Sequence, residues 1–168
     1  MNSQGEFQTS AVRKIRETPP SEMLMEACSK GSALLIAKAL KAGANANERS
    51  SNTMKMPWVY LICRSSPSED ENLAECLMVL MKSGMDPLKG NTGQEKSLLF
   101  YLSDEYVNCA IAVRDHVGIE RVLANKDAKK SKQWWLDLDR LQAEKQAGAL
   151  RCNTSATPSL AKPSQHRL

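Results

Sequence analysis

Apolar residues along this chain fall at helical rather than alternating spacing. Leu24 and Ala27 are followed by Leu35, Ile36, Ala39 and Leu40, with Gly31 and Gly43 standing where each run ends. That spacing predicts two short helices joined by a tight turn, each closed by a glycine able to take the left-handed backbone. A second set begins at Pro57 with Trp58, Val59, Tyr60, Leu61 and Ile62. It continues through Leu73, Cys76, Leu77, Val79 and Leu80 on one helical face, up to Gly84. Pro57 suits a first helical turn, where its missing N–H leaves nothing unsatisfied. The intervening residues 65–71, rich in Ser and acidic side chains, read as a lengthened surface loop.

A third set predicts a helix over 97–102 and a second one through Cys109, Ile111, Ala112 and Val113, ending at Val117-Gly118. Beyond it, residues 119–123 predict a short helix. Residues 131–150 predict a single longer one, with Trp134, Trp135, Leu138 and Leu141 on one apolar stripe. The two ends differ from this pattern. Residues 1–20, with Gly5 and Pro19-Pro20, and residues 151–168, with Pro158 and Pro163, carry too little apolar surface to pack and read as flexible tails. The organisation is therefore an N-terminal arm (1–20), a folded array (21–118), terminal helices (119–150) and a C-terminal tail (151–168).

The order Leu24-x-x-Ala27-x-x-x-Gly31, then Leu35-Ile36, Ala39-Leu40 and Gly43-Ala44-Asn45-Ala46-Asn47, resembles an ankyrin repeat. That family places Leu and Ala on a first helix, Gly in the turn, aliphatic pairs on a second helix and a closing Gly-Ala-Asp-x-Asn. The second unit ends in Gly84-Met85-Asp86, and the third ends at Gly118 without such a closure. None carries the family's Thr-Pro-Leu-His tetrapeptide; Met56-Pro57-Trp58-Val59 stands nearest to it. The resemblance implies an all-α, ankyrin-repeat-like helical solenoid of roughly two and a half to three repeats between flexible tails.

It also implies a protein–protein interaction module, a regulator or inhibitor that grips a partner with its loop tips and the exposed edge of each first helix. The corresponding positions are Ser29 and Lys30 in the first unit, and Asn52, Thr53, Lys55, Cys63 and Arg64 in the second. In the third they are Gln94, Glu95, Ser103 and Asp104. Met54 and Met56, flanking Lys55, would add adaptable apolar area if exposed. Two other functions stay open, a delivered effector of a pathogen or symbiont and a structural subunit of a larger complex. The helix over 131–150 either caps the open end of the array or turns its Trp pair towards a partner.

Composition narrows the class further. With 42% hydrophobic and 25% charged residues, the chain is globular, and its longest apolar runs fall far short of the roughly 20 residues that span a bilayer. No membrane partner is expected, and residues 1–10 lack the basic and apolar regions of a Sec-type signal. Five cysteines without a C-x-x-C pair suggest free thiols in a reducing, cytoplasmic setting.

No catalytic motif, metal spacing or cofactor loop stands out, so neither an enzyme nor a cofactor or small-molecule substrate is expected. His116 lies seven positions after Cys109, about 10 Å along a helix and too far to touch it. Glu69-Asp70-Glu71 and Asp104-Glu105 read as solvated charge. Lys126, Lys129, Lys130 and Lys132 beside Trp134 and Trp135 are the one hint of nucleic acid. Interruption by Asp127 favours a solvated linker and argues against that partner.

Overall fold

The computed structural model describes residues 18–90 and 96–154. These residues are all-helical, without strands: α1 Pro20–Lys30, α2 Ala33–Lys41, α3 Pro57–Arg64, α4 Asp70–Lys82, α5 Val107–Val117, α6 Ile119–Ala124, α7 Lys132–Leu136 and α8 Leu138–Thr154. Short 3-10 turns occupy Pro67–Glu69 and Leu98–Phe100. Pro20 and Pro57 open α1 and α3 as first-turn prolines, while Ser32 and Ser131 cap α2 and α7 through their hydroxyls. Ser66 and Glu69 form a reciprocal capping box just ahead of α4.

α1 packs on α2 and α3, α2 on α4, α4 on α5, and α5 on α8. One apolar cluster runs through all of these contacts. Leu24, Ile36, Ala39, Leu61, Leu77, Leu80, Cys109 and Trp135 are among its fully buried members. Ala27 is buried, as a close approach of α1 to α2 requires. Gly31 ends α1 at φ 62°, and the Ser32 N–H reaches back to the Ala27 carbonyl at 3.3 Å. The same six-to-one bond closes α2, from the Ala44 N–H to Ala39 at 3.1 Å, and α4, from the Met85 N–H to Leu80 at 3.0 Å.

After these closures comes a repeated turn. Asn45, Asp86 and Asn125 each accept, on a side-chain oxygen, the N–H of the residue two further on, at 2.9, 3.0 and 2.9 Å. The turns are also tied to one another. Asn47 donates to the Gly84 carbonyl and accepts from the Asp86 N–H, and Asn125 donates to the Leu88 carbonyl. The third turn lies beyond α6, past Gly118, where the third unit was expected to end. At φ 91°, ψ 141°, which suits only glycine, Gly118 instead bends one run of helix into α5 and α6.

Three further expectations differ from the fold. The helix expected over 97–102 is only a 3-10 turn at Leu98–Phe100, ahead of α5. The single helix expected over 131–150 is two, broken at Asp137, whose carboxylate accepts from Gln133 and Arg140. That break turns Trp135 and Leu138 inward together and leaves Leu136 exposed. α8 then runs on to Thr154, four residues into the segment read as tail. The remainder of both tails lies outside the described residues.

Candidate functional site

The loop between α2 and α3 is closed on itself. The Ser50 N–H donates to the Lys55 carbonyl at 2.9 Å, and the Met54 N–H donates to the Ser50 carbonyl at 2.8 Å. Thr53 shares a hydrogen bond with the Tyr60 hydroxyl, which fastens the loop to α3. Closing so tightly puts Met54 at φ 57°, a left-handed conformation that costs a non-glycine residue about 1–2 kcal/mol. Met54 is 55% exposed, and Asn52, Thr53 and Lys55 stand in solvent beside it. Met56, by contrast, is buried beneath the loop and adds nothing to its surface. A cleft of about 430 Å³ separates this loop from α1, with Glu22, Glu26, Asn52, Thr53 and Tyr60 on its walls.

Three of the residues expected from the sequence are thus gathered in one closed loop, and the others lie elsewhere. Ser29 and Lys30, at the end of α1, line a separate small cleft with Leu61, Ser65 and Glu69. The Ser29 hydroxyl donates to the Glu26 carbonyl, and Lys30 pairs with the Glu26 carboxylate at 2.6 Å. Cys63 is an exposed free thiol on α3, and Arg64 is that helix's last residue. Gln94 and Glu95 lie outside the described residues.

Ser103 is half-buried, and Asp104 is fastened. The Asp104 carboxylate accepts from Lys130 at 2.9 Å and from the Trp134 indole N–H at 2.5 Å. The bond from Lys130 does most to hold that carboxyl below its ordinary range; burial opposes it, and the indole bond adds a smaller lowering. The Asp104 side chain nevertheless stays 71% exposed, so it remains the solvated charge expected from the sequence, with these two bonds added. The adjacent Glu105 contributes its carbonyl, which accepts from Lys145 at 2.9 Å.

Asp70 requires a larger correction, since it is 2% exposed and not part of a solvated run. Its carboxylate accepts the N–H groups of Asn108 and Cys109 at 2.9 and 3.1 Å, and Lys145 from α8 at 3.0 Å. α5 has no cap of its own at Tyr106, so this carboxylate from α4 serves as one. Burial pushes the Asp70 carboxyl up, and the bonds from Asn108, Cys109 and Lys145 outweigh it, leaving the group lowered.

The segment 125–132, read as a solvated linker, is also structured. Asp127 is 4% exposed, and its carboxylate accepts the Ser97 N–H at 2.7 Å. Lys129 places its ammonium 3.2 Å from the centre of the Phe100 ring. The sequence carried a signal for this loop: Asn125-Lys126-Asp127 repeats the spacing of Asn45-Ala46-Asn47, without the preceding glycine that marked the earlier units.

Burial raises the Cys28 thiol to about 12 and the Cys76 thiol to about 11, and also raises Cys109, where the Asp70 carboxylate adds to the effect. Neutral thiols are poor nucleophiles. Cys109 is fully buried while His116 is exposed at the end of α5. Among the described residues no group of three His, Cys, Asp or Glu is arranged to hold a metal, and no helix is long and apolar enough to cross a membrane. No known protein family, curated protein or solved structure matches the chain.

Proposed function

We propose that this chain is a protein-binding module, a short ankyrin-like stack of helical hairpins that grips another protein with its loop edge and carries no catalytic centre. The observation that carries the reading is the first loop. It closes on itself through backbone hydrogen bonds, it is tied to α3, and it holds Met54 in a strained backbone at an exposed tip beside Asn52 and Lys55. Strain kept in an exposed loop while its base is buried is the usual mark of a surface shaped for contact. Support for the stacked arrangement comes from the turns at Asn45, Asp86 and Asn125, each bonded to its neighbour, and from the α2–α4–α5–α8 order of packing. In this reading Trp135 and α8 cover the end of the stack, and Asn52, Thr53 and Lys55 are contact residues.

The test is site-specific photo-crosslinking in a native lysate, with a reactive side chain at Asn52 and, as control, at the exposed Glu75 of α4. The reading expects a discrete adduct from position 52 and none from position 75. Equal labelling at both positions, or none at either, overturns it.

A further inference from the structure

We propose that the third loop, residues 125–132, binds an acidic segment of the partner, with its lysines meeting the partner's carboxylates. This rests on the protein-binding reading above and adds the partner's chemistry. The loop follows the Asn125 turn as the first loop follows the Asn45 turn, so it occupies the same edge in the repeat. It is held from several sides. Asn125 donates to the Leu88 carbonyl at 3.3 Å, Ala128 donates to the Asn125 carbonyl at 3.0 Å, and Asp127 is bonded inward to the Ser97 N–H.

The one carboxylate of the loop is therefore turned into the protein, where Lys96 lies 3.6 Å from it. Lys130 is answered by Asp104 at 2.9 Å. Among the described residues no carboxylate stands within ion-pair distance of Lys126, Lys129 or Lys132. Lys129 rests on the Phe100 ring, which positions its ammonium without neutralising it. Like charges carried without counter-ions on one short exposed segment raise the local potential and favour an anionic partner.

The choice of an acidic peptide over single-stranded nucleic acid follows from the rings. Bases need open aromatic faces on which to stack. Here Phe100 has Lys129 at 3.2 Å and Lys96 at 5.1 Å, while Trp134 has Lys130 at 5.2 Å and the Trp135 ring edge-on at 5.0 Å. Phe100 and Trp134 are therefore already engaged, and the ammonium groups remain for carboxylates.

The experiment titrates the isotope-labelled full chain with a synthetic peptide of Glu-Asp-Gly repeats and follows amide shifts and the Trp134 indole N–H. Expected are shifts confined to Phe100, residues 125–132 and that indole, weakening as salt rises from about 0.05 M to about 0.3 M. Combining Lys126→Glu, Lys129→Glu and Lys132→Glu should lower the affinity about tenfold or more. Lys126→Gln with Lys132→Gln, which leaves both ring contacts in place, should lower it about threefold with an unchanged circular-dichroism spectrum.

Peptide binding indifferent to these substitutions, or no shifts at all, overturns the proposal. So does tighter binding, at this loop, of an oligothymidylate or of phosphatidylserine vesicles. The crosslink from Asn52 separates the two readings: if it persists while the titration fails, the acidic partner alone is wrong. If neither loop yields a partner, the binding-module reading fails with it.

Discussion

In the first hairpin, α1 meets α2 through Leu24, Ala27, Ile36 and Ala39, all of them buried, with a two-residue turn and a glycine cap between the helices. At the other end α8 meets α5 largely through polar atoms. Gln142 donates to Asn108 at 2.7 Å, Lys145 reaches Asp70, and Arg114 holds Asp139 with two bonds of 3.1 and 3.0 Å. Only the start of α8 adds deep apolar contact, through Leu138 beside Trp135. Close apolar packing thus joins the first helix pair, while directed bonds over a small apolar foot join α8 to the rest of the fold. Fewer buried apolar contacts predict that α8 opens before the first hairpin does.

Trp135→Ala should break the C-terminal side most severely. It empties a fully buried site and should cost about 3–5 kcal/mol in chemical denaturation, with early loss of amide protection across α7 and α8. An unchanged midpoint would mean that Trp135 does not hold the end of the stack.

Asp70→Ala should come next, at about 2–4 kcal/mol, because it uncaps α5 and leaves two buried N–H groups unpaired; exposure of Lys145 keeps the ionic share small. The same carboxylate sets an acid dependence. Asp70 is lowered in the folded chain, so its contribution is fully present above the unfolded-state value of about 3.9 and is lost as the pH falls through the folded one. Amide exchange in α5 and α8 should therefore quicken below about pH 4 while the first hairpin stays protected. Asp70→Asn should flatten that response, and uniform acid loosening of the whole chain would contradict it.

The smallest effect is expected on the first hairpin. Ala27→Leu should overpack α1 against α2 and cost about 1–3 kcal/mol, read as a lower melting temperature with the α8 amides unaffected. If α8 loosens as well, the two ends are coupled and α8 does not open independently.

How much of this was legible beforehand differs between the ends in the same way. The helices at α1, α2 and α4 and the burial of Ala27 were readable because periodicity and glycine placement are local signals. Of the positions expected to contact a partner, Asn52, Thr53 and Lys55 do share one loop, while Ser29 and Lys30 face a different cleft. That separation depends on which end of each helix a residue occupies, and residue type does not reveal it.

What the sequence determined by itself was the helical class, the first hairpin and the positions of the closing glycines, since 3.6-residue spacing and left-handed caps act within a few residues. The tertiary structure alone decided that Asp70 caps a helix nearly 40 positions away, that Trp135 turns inward while Trp134 binds Asp104, and that Asp127 ties its loop to Ser97. Each of these joins side chains distant in sequence, and charge and burial follow from those neighbours rather than from local pattern.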